Sequence, residues 1–321
     1  MLERPLKIVF LDRETISART DLRRLSFPHE LTLYGRTAKS LVADRIAQAD
    51  IVITNKAAID EAALAGAPHL RLIAVAATGT DVVDVKACHA RGITVSNVRG
   101  YATRTVPEHA FALIFALRRS ITAYRDSVKA GRWYESQQFC YFDYPIKDLA
   151  GSTLGVIGDG VLGQAVAGIG RALNMHVIFA GRKGAGKAGA LYTPFEKMLG
   201  SSDIISLHCP LNAQTRNMID EAEFAQMTRK PLLINTARGG LVNEAALGRA
   251  LRSGQISGAG FDVTSPEPPG AQHPLMQLLD LPNFILTPHV AWASEEAIQS
   301  LANQLMDNIE AFHQGVPNNV V

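Results

Sequence analysis

The sequence predicts an α/β fold built from two doubly wound parallel sheets. Short apolar runs alternate with stretches of helical spacing along most of the 321 residues. That is the pattern of parallel strands covered by helices on both faces. A glycine turn, Gly158-Asp159-Gly160-Val161-Leu162-Gly163, stands directly between one such run and one such helix. The length suits about two domains.

Composition narrows the class. Hydrophobic residues make up 47% and charged residues 19% of the chain, enough for a substantial core and unlike a disordered segment. A net charge of +2 from scattered basic residues leaves no footprint for nucleic acid or an anionic membrane. Apolar stretches such as residues 109–117 are far too short to span a bilayer. Residues 7–11 read directly as a first strand, with no signal peptide before them. The three cysteines, Cys88, Cys140 and Cys209, are widely spaced and odd in number, which fits neither a disulfide framework nor a zinc site. A cytoplasmic protein without a metal is expected.

In chain order, strands are expected at 7–12, 51–54, 72–76 and 93–96, with helical spacing at 38–49 and 59–65. Thr105-Val106-Pro107-Glu108 has the form of a capping box with Pro107 in the first turn, opening a long helix to about residue 130. Residues 133–144 are aromatic and irregular, with Phe139, Tyr141, Phe142 and Tyr144. Such a loop either covers its own core or forms a dimer contact or a lid. Strands then follow at 154–157, 176–180, 204–208, 232–235, 258–263 and 284–287. The amphipathic stretch 294–312 is expected to pack back onto the first domain. That domain then comprises residues 1–98 with 290–321, the second comprises 99–289, and a cleft lies between them.

Six strands with a glycine turn after the first match a complete dinucleotide-binding domain. Gly158 permits the tight turn, Gly160 lets a pyrophosphate approach the backbone, and Gly163 lets the helix pack on its strand. The free N–H groups at that helix end hold phosphates. The end of the next strand bears on the choice of cofactor. An NAD-binding chain carries Asp or Glu there, about 20 residues past the glycines, for the ribose hydroxyls. Here Gly181 stands in that place, followed by Arg182 and Lys183. The two cations suit a 2′-phosphate, so NADP(H) is favoured, with NAD(H) the alternative. A solvated basic loop, or Arg182 stacked on adenine, would give the same pattern.

Three further positions fall at the carboxyl ends of successive strands, where open parallel sheets bind ligands. They are Arg238 in Asn235-Thr236-Ala237-Arg238-Gly239-Gly240, Glu267 after Asp262-Val263, and His289 in Thr287-Pro288-His289. Together they suit reduction of a 2-oxoacid. The carbonyl oxygen needs a proton as hydride arrives, and a histidine supplies it near neutral pH. A carboxylate beside the ring stabilises the imidazolium and orients it. An arginine grips the substrate carboxylate and polarises the carbonyl. Singly, an exposed Arg, a turn-capping Glu and a loop His would each be unremarked.

These motifs, with Gly260-Phe261-Asp262-Val263 and Glu267-Pro268-Pro269, resemble the D-isomer-specific 2-hydroxyacid dehydrogenase family over nearly the whole chain. The resemblance implies a Rossmann domain beside a flavodoxin-like α/β domain, with the active site in the cleft. It implies Arg238 as substrate-binding and catalytic, Glu267 as the partner of the histidine, and His289 as the acid–base. It places Asp262 near the nicotinamide carboxamide, Val161 and Leu162 against the pyrophosphate, and Cys209 and Pro210 by the adenosine. Thr236, Ala237, Arg238, His289 and Ala291 complete the cofactor contacts. Ala76-Ala77-Thr78-Gly79-Thr80-Asp81 looks like the family's substrate loop, with the N–H groups of Thr78 and Gly79 on the substrate carboxylate and Thr78 also touching the cofactor. Read alone, that stretch is a plain strand-ending turn.

Within the family, Asn97-Val98-Arg99-Gly100-Tyr101-Ala102, Phe139-Cys140-Tyr141-Phe142-Asp143 and His289-Val290-Ala291-Trp292-Ala293-Ser294 look most like the glycerate dehydrogenase (hydroxypyruvate reductase) group. Tyr101 and Trp292 would there narrow the pocket towards a short, hydroxyl-bearing oxoacid. The acidic residue usual after the second strand is absent, and Glu267 stands where a formate dehydrogenase has Gln. The resemblance implies a homodimer that reduces hydroxypyruvate to D-glycerate and glyoxylate to glycolate. The alternatives are another substrate, such as D-lactate or a sugar-derived 2-oxoacid, and a non-catalytic NAD(P)-sensing protein.

Overall fold

Parallel pairing of short strands organises both halves of the chain. The structure, a computed structural model, describes residues 4–185 and 189–321. It divides into two units, one of the described residues up to Ala102 with Ala293–Val321, the other Thr103–Trp292.

In the first unit, β1 (Leu6–Phe10), β2 (His29–Leu33), β3 (Ile51–Thr54), β4 (Leu72–Val75) and β5 (Thr94–Ser96) form one parallel sheet. Its order, β2-β1-β3-β4-β5, is the flavodoxin-like one. Every residue of β3 and β4 is buried, as central strands covered on both faces must be. β2 has no counterpart among the expected strands. It is an edge strand exposed over residues 30–33, so it carries no apolar run. The helices are short: α1 (Val42–Ile46), α2 (Glu61–Ala65) and α3 (Val85–Ala90). Asp60 and Asp84 cap α2 and α3 by accepting the N–H groups of Ala63 and Ala87. The C-terminal helix, Glu295–His313, belongs to this unit and buries Ile298, Leu301, Leu305 and Ile309. Its Asn308 amide donates to the Asn97 carbonyl at 2.8 Å. Its Glu310 carboxylate accepts from the Ser26 N–H at 2.6 Å and the Ser26 hydroxyl at 2.7 Å.

The second unit begins with α4 (Thr105–Arg118), α5 (Ile121–Lys129) and α6 (Arg132–Ser136). The sheet follows: β6 (Thr153–Ile157), β7 (His176–Phe179), β8 (Ile204–Leu207), β9 (Leu232–Asn235), β10 (Gly258–Phe261) and β11 (Phe284–Leu286). All pair in parallel in the order β7-β6-β8-β9-β10-β11. The chain reverses its direction of winding between β6 and β8, which is where such sheets bind nucleotides. A single bridge, Ala180 to Thr193, adds one more residue outside β7. Among the described residues, four α-helices connect the strands: α7 (Val161–Ala172), α8 (Phe195–Ser201), α9 (Glu221–Gln226) and α10 (Glu244–Ser253). α4 and α7 cover one face with Phe111, Ile114, Leu117 and Val166. α8, α9 and α10 cover the other with Phe195, Met198, Phe224, Leu247 and Leu251.

Three local expectations are corrected here. Thr105 is the first residue of α4 rather than its cap, because its hydroxyl donates to the Ala291 carbonyl at 3.0 Å. The expected long helix breaks at Ser120, which has φ 50° and whose hydroxyl bonds the Pro145 carbonyl at 2.6 Å. Residues 132–136 of the aromatic segment are helical, and Tyr134, Phe139 and Phe142 are more than four-fifths exposed at 83%, 89% and 82%. Tyr141 and Tyr144 of that segment instead pack on Tyr124 of α5, with ring centroids 5.6 and 5.3 Å apart. No helix among the described residues is long and apolar enough to cross a membrane.

Candidate active site

The glycine turn is built by close approaches. Gly158 has φ 102°, and a Cβ there would lie 2.6 Å from the carbonyl carbon of His208. A Cβ on Gly163 would lie 1.9 Å from the Gly158 oxygen, so α7 rests directly on the turn. At Gly160 a Cβ would meet nothing within 4 Å, and α7 carries no side-chain cap. Open space beside uncapped N–H groups fits a pyrophosphate. Val161 is exposed and Leu162 half-buried beside it.

The end of β7 separates the two adjacent cations. The Gly181 N–H donates to the Thr193 carbonyl at 2.7 Å. The Arg182 side chain is exposed and, among the described residues, makes no hydrogen bond or ion pair, while its carbonyl accepts the Ala185 N–H at 3.1 Å. Lys183 instead reaches the Glu223 carboxylate at 2.8 Å and the Met218 carbonyl at 2.9 Å. Glu223 is nearly buried and belongs to the capping box of α9. Of the two expected phosphate ligands, Lys183 is therefore committed to the scaffold. Tyr192, which the sequence reading missed, donates its hydroxyl to Asp159 in the glycine turn.

After β8, burial pushes the His208 imidazole down to about 4 and the Cys209 thiol up to about 11. Both are uncharged near neutral pH. The Cys209 sulfur packs 3.7 Å from the Met218 sulfur, and Pro210 is exposed, its carbonyl accepting the Thr215 hydroxyl at 2.7 Å.

After β9, the Asn235 side chain folds the loop, accepting the Ala237 N–H at 3.1 Å and donating to the Arg238 carbonyl at 2.9 Å. Arg238 is left exposed at the loop's tip, with one guanidinium nitrogen 2.8 Å from the Ala237 carbonyl. Thr236 Oγ1 is buried without a protein partner among the described residues, a vacancy in hydrogen bonding that suits a bound cofactor. After β10, the Glu267 carboxylate accepts the Thr264 N–H at 3.1 Å through Oε1 and meets His289 Nδ1 at 2.6 Å through Oε2. That contact fixes the ring and leaves Nε2 as the nitrogen available to a substrate.

The loop carrying His289 is held from beneath. Asp262 is buried, and its Oδ1 accepts the Thr287 hydroxyl at 2.5 Å and the Val290 N–H at 2.9 Å. Its Oδ2 accepts the Ala291 N–H at 2.8 Å. Both oxygens are thus engaged by the loop, which makes Asp262 its anchor. His109 of α4 stands 3.0 Å from the same Thr287 hydroxyl. The Trp292 indole donates to the His289 carbonyl at 2.9 Å, and His289 itself has φ 56°.

The first unit carries the other expected residues. The Thr78 hydroxyl donates to the Val98 carbonyl at 2.8 Å, and the Thr78 carbonyl accepts the Asn97 amide at 2.7 Å. The backbone N–H groups of Thr78 and Gly79 donate to no acceptor among the described residues. Tyr101 is half-buried near the end of this unit's first segment.

Residues 111–291, which hold the glycine turn, Arg238, Glu267 and His289, match the family described as D-isomer specific 2-hydroxyacid dehydrogenase, NAD binding domain. The chain belongs to the D-isomer-specific 2-hydroxyacid dehydrogenases. The dehydrogenase is 52% identical to the glycerate dehydrogenase of Methylorubrum extorquens over 98% of both chains. It is 36% identical to the hydroxypyruvate reductase of Blautia hydrogenotrophica, covering 98% of this chain and 99% of that one. Among solved structures it is similar to an NADPH-dependent glyoxylate/hydroxypyruvate reductase from Sinorhizobium meliloti in complex with NADP and malonate. That likeness has a TM-score of 0.83 and 29% identity, over 99% of this chain and 97% of that one. The dehydrogenase binds a nicotinamide dinucleotide and interconverts 2-oxoacids and 2-hydroxyacids.

Sequence reasoning missed two residues around the dehydrogenase's site: His109 beside Thr287 and Tyr192 beside Asp159. Neither lies in a recognised motif, and only their spatial partners mark them.

Proposed function

We propose that the dehydrogenase reduces hydroxypyruvate to D-glycerate, and glyoxylate to glycolate, with NADPH. The observation that carries the catalytic reading is the 2.6 Å contact between His289 and Glu267 at the ends of adjacent strands. The names of the relatives support the substrate. A nicotinamide dinucleotide held by its pyrophosphate at the β6–α7 turn would supply the hydride. His289 delivers the proton to the nascent alkoxide through Nε2, and Glu267 holds the ring for that transfer. Arg238 binds the substrate carboxylate. The unengaged N–H pair at Thr78 and Gly79 also suits a carboxylate. Steady-state kinetics with hydroxypyruvate, glyoxylate and pyruvate, each against NADPH and NADH, test the assignment. A preference for pyruvate over both shorter or hydroxylated acids would overturn the substrate.

The preference for NADPH rests on Arg182, whose guanidinium can fork onto a 2′-phosphate. Arg182→Asp is expected to raise the KM for NADPH by about tenfold or more, since a charge-assisted contact of roughly 1.5–3 kcal/mol is lost and repulsion replaces it. An unchanged KM for NADPH would refute the role.

The exposed aromatics Trp133, Tyr134, Phe139 and Phe142 support a homodimer, since large exposed apolar patches mark interfaces. Phe139→Asp combined with Phe142→Asp is expected to shift the enzyme to monomers in analytical ultracentrifugation, and an unaltered sedimentation coefficient would count against this surface. Three free cysteines, one of them buried, fit a reducing cytoplasm.

A further inference from the structure

A second carboxylate–imidazole pair lies against the loop that carries Glu267. Glu244, the first residue of α10, and His273 are nearly buried, with 10% and 7% of their side chains exposed. Glu244 Oε2 meets His273 Nε2 at 3.0 Å, and Oε1 accepts the Ser265 N–H at 3.1 Å. His273 Nε2 also reaches the Ser265 carbonyl at 3.1 Å, while Nδ1 accepts the Leu275 N–H at 3.3 Å. A nitrogen that accepts carries no proton, so the ring's N–H is assigned to Nε2, shared between Glu244 and Ser265.

Both backbone polar groups of Ser265 are thus gripped, two residues before Glu267. The same backbone meets the loop that carries Arg238. A Cβ on Gly239 would stand 2.2 Å from the Thr264 carbonyl carbon and 2.7 Å from the Ser265 nitrogen. Ser265 is therefore the junction of the two loops. A buried carboxylate is harder to accommodate than apolar side chains of the same volume. Here it fixes backbone that has no helix or strand of its own.

We propose that Glu244 and His273 are positioning residues for the reaction, which hold Ser265 so that Glu267 stays in contact with His289. The inference rests on the reading of His289 and Glu267 as the proton-transfer pair.

The test compares the full-length variants Glu244→Gln, His273→Ala and His273→Gln with His289→Asn, in steady-state kinetics with hydroxypyruvate and NADPH and in thermal unfolding. Glu244→Gln and His273→Ala are expected to lower kcat by about ten- to a hundredfold, the scale of a small displacement of catalytic groups, with the KM for NADPH unchanged. His273→Gln, whose amide N–H groups can reach both Glu244 and the Ser265 carbonyl, is expected to recover most of the rate. Parental kcat in both Glu244→Gln and His273→Ala overturns the proposal. So does a loss in all three that tracks the folded fraction and the cofactor KM. Turnover retained by His289→Asn removes the pair on which the proposal stands. An inactive His289→Asn beside a fully active Glu244→Gln and His273→Ala overturns the positioning role alone.

Discussion

Replacing His289 with Asn is expected to lower kcat by about a hundred- to ten-thousandfold, the range that a positioned general acid contributes. Asparagine keeps a donor near the place of Nδ1, so the contact with Glu267 can persist. It also tolerates the left-handed backbone at this position, where φ is 56°. What it lacks is a group that gives up a proton near neutral pH. The glycine turn and α7 are untouched by the change, so cofactor affinity should be preserved. Stopped-flow measurement of NADPH binding, beside turnover of hydroxypyruvate, separates the two. Near-parental turnover would sink the assignment of the acid.

Asp262→Asn is expected to be nearly as damaging by a different route. The carboxylate accepts three donors from the segment 287–291, through both oxygens. An amide replaces one oxygen with an NH2 group, so at least one buried N–H loses its acceptor and a new donor faces it. Such a loss costs about 2–4 kcal/mol in a buried site. It also frees the backbone on both sides of His289. Urea unfolding should register the destabilisation, and kcat should fall with it. If Asp262 served chiefly as a partner of the nicotinamide carboxamide, the penalty would fall on the cofactor KM while unfolding stayed parental.

The strands of the second sheet were legible as short apolar runs, fully buried in β8, β9 and β10, and its glycine turn because packing forbids a Cβ at Gly158 and Gly163. β2 was not legible, since its two alternating leucines, Leu31 and Leu33, lie exposed on an edge and are too few to stand out as an apolar run. Nor was α3, which buries only Cys88. The break at Ser120 depends on a carbonyl 25 residues away, beyond any local signal. Arg238, Glu267 and His289 could be picked out because topology places strand ends together, so residue type and position sufficed. The groups that hold them could not. Glu244 and His273 meet across 29 residues of chain, a separation (273 − 244) that no motif encodes. Asp262 was recognised as important, but its donors become visible only when the loop is folded over it.

The ion pair between Lys183 and Glu223 limits how cofactor choice can be redesigned. Two neighbouring basic residues invite exchange of both for acids in a conversion to NADH. An acid at 183 would instead face a nearly buried carboxylate across 2.8 Å of former attraction and loosen the start of α9. The adjustable site is 182, and in a mutational library that varies the two positions together, acids at 183 would carry a stability cost that changes at 182 alone avoid.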